Sequence, residues 1–263
     1  MKNNLIRILA GALAFASPLG LSLGGSARAA AAPNTLTSAE KAAGWQLLWD
    51  GKTTTGWRSA KAEQFPTKGW SMKNGALVVA DNGGEESAGG GDIITTKRYA
   101  NFELTAEFKT TPKANSGIKI FVQPGIAPLT KTGEKAAVGS AIGLEFQILD
   151  DALHPDAKLG ANGNRTIGSL YDLMPAPKNK KVKPIGEWNQ ARIVAQGKHV
   201  EFWLNGEKTV EFERGSAAFR QQVAASKYRT IAGFGEWADG HILLQEHGSE
   251  VSFRNVKLRE LKP

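Results

Sequence analysis

Between Ala141 and Asp151 the chain reads Ala-Ile-Gly-Leu-Glu-Phe-Gln-Ile-Leu-Asp-Asp, so three carboxylates and an amide fall within seven residues. Successive side chains of a strand point to opposite faces, which puts Ile142, Leu144, Phe146 and Ile148 on one side and Glu145 and Gln147 on the other. A carboxylate moves protons and an amide both donates and accepts, so that second face can bind and activate a polar substrate. The same alternation also describes a solvated outer face that ends in an acidic turn.

Other strands supply companions for Glu145 and Gln147. In His199–Asn205 the apolar set is Val200, Phe202 and Leu204, leaving Glu201 and Trp203 opposite. In Ile242–His247 it is Ile242 and Leu244, leaving Leu243, Gln245 and His247 opposite. Arg254 lies on the side of Val256, or on the other side where a bulge intervenes. The set Glu145, Gln147, Trp203, Gln245, His247 and Arg254 suits a sugar, whose hydroxyls need amides, carboxylates and guanidinium and whose C–H face needs an aromatic plane. Glu145, Asp150, Asp151 and His247 also make a mixed oxygen and nitrogen donor set for a divalent metal, although no His-rich spacing supports one; no other cofactor is indicated. The remaining tryptophans read as core or rim residues. The glycine-rich run from Gly83 to Gly91 lacks the Lys-Ser/Thr pair and following helix of a phosphate cradle, and reads as a mobile surface loop.

Many short β-rich runs position these residues, among them Trp70–Lys73, Ala76–Val79, Phe102–Thr110, Ile142–Leu149, Thr166–Tyr171, His199–Leu204, Ile231–Phe234 and Val251–Leu258. Asn74-Gly75 and Asn205-Gly206 are strong hairpin signals. Many antiparallel strands with almost no helix imply an all-β sandwich. One short helix is expected after Ser216 as N-cap, with Phe219 and Val223 on its apolar side; another is compatible with Ser38–Ala42. Four long connections (81–91, 124–139, 151–165 and 173–187) exceed the length of ordinary turns and are expected to wall a site.

Lys2 and Arg7, an apolar stretch to Leu23 and the Ala27-Arg28-Ala29 site read as a signal peptide over residues 1–29, followed by a tether over 30–43 and the sandwich domain over 44–263. A periplasmic or secreted location follows. With the segment removed the charge falls from +8 to +5, because Lys2, Arg7 and Arg28 go and no acid does. That balance and the scattered basic residues argue against nucleic acid as a partner. There is no Cys, hence no disulfide, and no later stretch approaches the ~20 apolar residues of a membrane span. A small carbohydrate substrate is the one partner indicated; no protein partner is.

Trp49-Asp-Gly51 with Gly56-Trp57, Asn115-Ser-Gly-Ile118, Leu144–Asp151, Gly168-Ser-Leu-Tyr-Asp172, Gly186-Glu-Trp-Asn189 with Arg192, Trp203-Leu-Asn-Gly206, and Leu244-Gln-Glu-His-Gly248 with Phe253-Arg-Asn255 stand in order along the chain. This set resembles the 3-keto-disaccharide hydrolase domain family over essentially all of residues 44–261. The resemblance implies a concanavalin/laminin-G-like jelly roll, exported by bacteria that degrade glycans, acting on glycosides already oxidised to a ketone at C3. It implies a pocket of Asn115, Glu145, Gln147, Asp150 or Asp151, Tyr171, Trp203, Gln245, His247 and Arg254. Phe202 and Glu246 depart from the family, which often has His and Asp there; by alternation both point away from the pocket side.

A ketone at C3 acidifies the C2 proton, so a base can remove it, the C1 substituent leaves, and water adds to the enone. For that chemistry Glu145 or His247 is expected as base, Arg254, Gln147 or a metal as support for the enediolate, and Asp151 or Tyr171 as partner of the leaving group. Two other readings stand beside it: a retaining glucanase, disfavoured by Gln147 where a second acid is wanted, and a non-catalytic carbohydrate-binding module on the same fold.

Overall fold

The computed structural model describes Met1 and residues 32–86, 89–130, 132–136 and 139–263. Apart from Met1, the expected signal peptide lies outside the described residues. Every element named below belongs to the compact unit Ala31–Pro263.

Two antiparallel sheets make up the fold, an all-β jelly-roll sandwich as expected. The larger contains β1 (Gln46–Leu47), β3 (Trp70–Lys73), β4 (Ala76–Val79), β6 (Phe102–Thr110), β9 (Asn189–Gln196), β10 (His199–Leu204), β11 (Glu207–Glu213) and β13 (Val251–Glu260). Its order is β11-β10-β9-β6-β13-β4-β3, with β1 also on β13. The smaller contains β2 (Trp57–Ser59), β5 (Ile93–Thr95), β7 (Asn115–Gln123), β8 (Ile142–Leu149) and β12 (His241–Leu244), in the order β2-β5-β12-β7-β8. Among the described residues the α-helices are α1 (Ser38–Ala42) and α2 (Ala217–Ala225), the latter capped by Ser216, whose hydroxyl accepts from Phe219 N.

The apolar half of each alternating strand faces the space between the sheets. There Phe146 of β8 meets Phe202 of β10 at 5.5 Å and Phe108 of β6 at 6.4 Å between ring centroids. Burying such rings stabilises the fold by about 3 kcal/mol each, which is why Phe202 stands in the core. Hairpins form where the sequence marks them: Asn74-Gly75 and Asn205-Gly206 both adopt the left-handed backbone that a two-residue hairpin loop requires.

Strands β10 and β9 are buried on one face only, but β7 and β8 are buried on both. Glu145 and Gln147 are therefore covered, and the cover is built from loops.

Several expectations are corrected. Thr166–Tyr171 is not a strand: it is a turn segment docked on the edge of β8, through Gly168 N to Gln147 O (2.8 Å) and Tyr171 N to Glu145 O (3.0 Å). Ile231–Phe234 is a turn, and Trp57–Ser59 is a strand that short apolar length concealed. The described part of the 30–43 tether is packed rather than loose. Asn34 is buried, exchanges hydrogen bonds with Asn255 and donates its Nδ2 to Gly75 O, and Glu40 pairs with Lys257. The described flanks of the glycine-rich loop are pinned as well: the fully buried Glu246 carboxylate accepts from Asn82 Nδ2, Gly89 N, Gly91 N and Gly248 N at 2.9–3.3 Å. Among the described residues no helix is long and apolar enough to cross a membrane.

Candidate active site

The outward face of the smaller sheet forms the floor of a cavity of about 280 Å³. Register sets Lys119 of β7 directly across from Glu145 of β8, and Gly117 across from Gln147. Gln245 and His247 reach the same floor just after β12, which pairs with β7. Two of the four long connections supply walls, Glu86 from 81–91 and Pro128 with Gly139 from 124–139; 151–165 and 173–187 supply none, and the rest comes from Tyr171 of the segment docked on β8 and from Lys227 with Tyr228 of the turn after α2.

Glu145 is held from three sides. Its Oε2 lies 3.4 Å from Lys119 Nζ. Gln147, in the amide orientation that matches its neighbours, donates to Glu145 Oε1 (3.1 Å) and to Ser116 O (3.0 Å). Gly117 leaves the room the carboxylate occupies, since a Cβ there would lie 2.6 Å from Oε1. Behind the pair, Lys119 donates to Ser140 Oγ, which donates to Asp92. Burial pushes the Asp92 carboxyl up, against the pull of Lys119, Ser140 and the backbone N–H groups of Glu246 and Ala141. One ammonium thus serves two buried carboxylates.

Tyr171 donates its hydroxyl to Asp156 Oδ2 (2.9 Å), and Arg165 bridges Asp156 and Asp172 at 2.9 and 2.8 Å. Burial, with Glu145 and Asp156 nearby, raises the phenol far above its ordinary range, so Tyr171 is neutral. Two buried polar atoms among the described cavity residues have no partner, Gln245 Oε1 and His247 Nδ1. Each unfilled buried group costs about 1–3 kcal/mol, so a polar partner that reached either one would be favoured.

The structure brings Asn115, Glu145, Gln147, Tyr171, Gln245 and His247 to one cavity. It does not bring Trp203 or Arg254. Both face outward, Trp203 as alternation gives and Arg254 because of the bulge in β13, but from β10 and β13 of the larger sheet, whose outer face is the opposite side of the sandwich. Trp203 donates to Glu201 (2.9 Å) under Arg192 and Lys208; Arg254 donates to Glu107 (2.6 Å) and covers Trp188. The β13 bulge is real, with a register shift between Arg254 and Lys257.

Asp150 and Asp151 serve loops rather than the cavity. Asp150 accepts from the backbone of Lys113, Ala152 and Leu153; Asp151 accepts from Ile167 N (2.8 Å) and pairs with Lys180 (3.0 Å). Glu145, Asp150 and His247 therefore do not converge as a metal site. Among the described residues the one group with metal-like spacing is His199, Glu201 and Glu211, on the outer face of the larger sheet, where Lys208 already sits between the two carboxylates.

Sequence reasoning missed Lys119, Ser140, Asp92, Lys227 and Tyr228. Alternation along Asn115-Ser-Gly-Ile-Lys119 carries a signal for Lys119, whereas Lys227 lies in a turn with no periodic signal.

The same chain matches the 3-keto-alpha-glucoside-1,2-lyase-like domain over residues 44–259. It belongs to this family. A relative in Bacteroides thetaiotaomicron, a 3-keto-disaccharide hydrolase, is 35% identical over 232 residues, 83% of this chain and 79% of that one. A structure from Parabacteroides distasonis, provisionally described as a glycosyl hydrolase, is 30% identical with a TM-score of 0.73, covering 88% of this chain and 100% of that one. A second from the same organism and with the same description is 28% identical with a TM-score of 0.58, covering 82% and 99%. As a member of the 3-keto-disaccharide hydrolase family, the protein is a glycoside-cleaving enzyme of the hydrolase type.

Proposed function

We propose that this enzyme cleaves glycosides whose C3 hydroxyl has been oxidised to a ketone. The C2 proton passes to a base and its electron pair forms the enediolate. The C1–O bond then breaks as the leaving oxygen takes a proton, giving a 1,2-unsaturated 3-keto sugar. Water adds its oxygen to C1 and a proton to C2, so the net change is hydrolysis. Glu145 is the base, and His247 is the other group on the floor able to move a proton. The Tyr171–Asp156 pair faces the leaving group.

One observation carries the reading: the floor strands offer a single carboxylate, Glu145, beside an ammonium and amides. A retaining glycosidase needs a second acid about 5 Å away, and Gln147 stands two residues on instead. The other acid facing the cavity, Glu86, belongs to a wall loop. An enediolate route needs this combination of one base and nearby positive charge. The signal-like segment supports a periplasmic or secreted location, with a small carbohydrate as the partner.

Incubation with a disaccharide and with its 3-keto derivative tests the reading. Release of the aglycone from the keto form alone, with deuterium incorporated at C2 in heavy water, is expected. Cleavage of the unoxidised sugar, or binding without cleavage, overturns it.

A further inference from the structure

Two lysines line the cavity, and their surroundings fit them for different work. An ammonium has three N–H donors. Those of Lys119 are all committed: to Ser140 Oγ, to Ala141 O (3.2 Å) and toward Glu145 Oε2 (3.4 Å). Lys119 is 4% exposed. Lys227 is held by its backbone N–H, which donates to Asp172 Oδ2 (2.8 Å), while its ammonium stands 4.4 Å from the Tyr171 ring and 5.2 Å from the Tyr228 ring. Among the described residues it has no hydrogen-bond acceptor. Aromatic faces attract a cation without consuming its donors, so this seat orients the ammonium and leaves its three N–H groups free.

Resting on the keto-glycoside reading, we propose that Lys119 is a positioning residue that fixes Glu145, and that Lys227 supplies the ammonium that meets the negative charge developing on the C3 oxygen. C2 and C3 are adjacent carbons, so the base and the cation must border the same small space. Glu145 on the floor and Lys227 on the wall line one cavity, and Lys227 lies within the field of Glu145. Lys227 stays open to solvent at the cavity mouth; packing of protein around it draws its pKa down, with Glu145 and Asp172 pulling it up. Tyr228 is buried and stacked on Phe234 at 4.0 Å, which makes the seat rigid.

The test compares wild type with Lys227→Met, Lys227→Arg, Lys119→Met and Glu145→Gln on aryl 3-keto-glucosides, reading C2 deuterium exchange and aglycone release separately. Lys227→Met is expected to lose on the order of 10²–10³ in kcat, as one lost donor to a developing oxyanion does, with exchange and release falling together. Added methylammonium restores part of that rate, and Lys227→Arg retains more than Lys227→Met. Lys119→Met also loses kcat but is not restored by amine. Combined with Glu145→Gln it is no slower than Glu145→Gln alone, because a residue that only positions the base has nothing left to position.

Any of these results overturns the assignment: exchange preserved in Lys227→Met while release fails, which makes Lys227 the leaving-group acid; a sugar-mass adduct on Lys227 after borohydride reduction with substrate, which makes it a covalent group; or additive losses in the double variant. Should Lys119→Met not fold, Lys119→Arg replaces it in the cycle. Wild type inactive on every keto-glycoside sinks the reading itself and the assignment with it, whereas active wild type with equally active Lys227 variants sinks the assignment alone.

Discussion

Lys119 and Glu145 are direct cross-strand partners 3.4 Å apart, and both are more than nine-tenths buried. Two charges taken out of water repay their desolvation only with good geometry and further hydrogen bonds, which Ser140, Ala141 and Gln147 supply. Removing the ammonium strands Glu145 and Asp92 together. Lys119→Met is expected to lose about 3–5 kcal/mol of stability at neutral pH, read by urea denaturation, and Glu145→Gln clearly less. Equal losses would show that Asp92 does not depend on Lys119.

Gly117 separates activity from stability. Alanine there would place a methyl group 2.6 Å from Glu145 Oε1, and the carboxylate, a flexible end, must move by several tenths of an ångström. Misplacement of a reacting group by about 1 Å costs on the order of 10²-fold in rate. Gly117→Ala is therefore expected to fall about that far in kcat with a Tm within a few degrees of wild type. Unchanged kcat would remove Glu145 from the chemistry.

The two variants also mark where the sequence is legible. Alternation gives the outward side of every strand it covers, including Glu145, Gln147, Gln245 and Trp203, because the period of two is a backbone property. It does not say which strands share a sheet, since pairing joins residues far apart in the chain. Trp203 and Arg254 fail as cavity residues for that reason. Alternation puts Lys119 on the outward side of its own strand, but its pairing with Glu145 becomes visible only when β7 is placed beside β8, and Lys227 only when the turn after α2 is folded over Tyr171. Glu246 looks like a core-side misfit in sequence and proves to be a loop anchor, because its four donors come mostly from backbone that carries no side-chain signal.

Glu246→Ala tests that anchor. Backbone donors of Gly89, Gly91 and Gly248 lose their acceptor, at about 1–3 kcal/mol for each that stays buried. The loop relaxes toward water instead, so a net loss of about 3 kcal/mol is expected, together with new protease cleavage within 81–91. Glu86 lines the cavity from this loop, so KM rises as well. Cleavage kinetics equal to wild type would contradict the anchor.

A pH dependence follows from His241. Its Nδ1 pairs with Thr95 O at 2.7 Å, and burial, with Arg58 and Arg98 nearby, lowers its pKa from the ordinary 6.5. As pH falls through 6.5 the unfolded chain takes a proton before the folded one does. The stability His241 contributes is thus present above pH 6.5 and is lost as pH falls toward the folded pKa, by at most about 1.4 kcal/mol per pH unit. His154 acts with the same sign. His241→Gln, which can still donate to Thr95 O, is expected to show a flatter Tm between pH 7 and 5 than wild type; parallel curves would refute the buried neutral imidazole.

The outer face of the larger sheet provides the complementary test. Trp203 lies under Arg192 (5.0 Å) and Lys208 (5.7 Å), and Arg254 covers Trp188 at 4.0 Å, so these aromatic faces are already occupied by the protein's own cations. A sugar ring would have to displace them, giving up about 0.5–1 kcal/mol for each contact. Trp203→Ala and Arg254→Ala are therefore expected to lower Tm while leaving kcat/KM for a keto-disaccharide within about twofold of wild type. A loss beyond tenfold in either variant, with Tm maintained, would place substrate on this sheet and move the active site away from the Lys119–Glu145 floor.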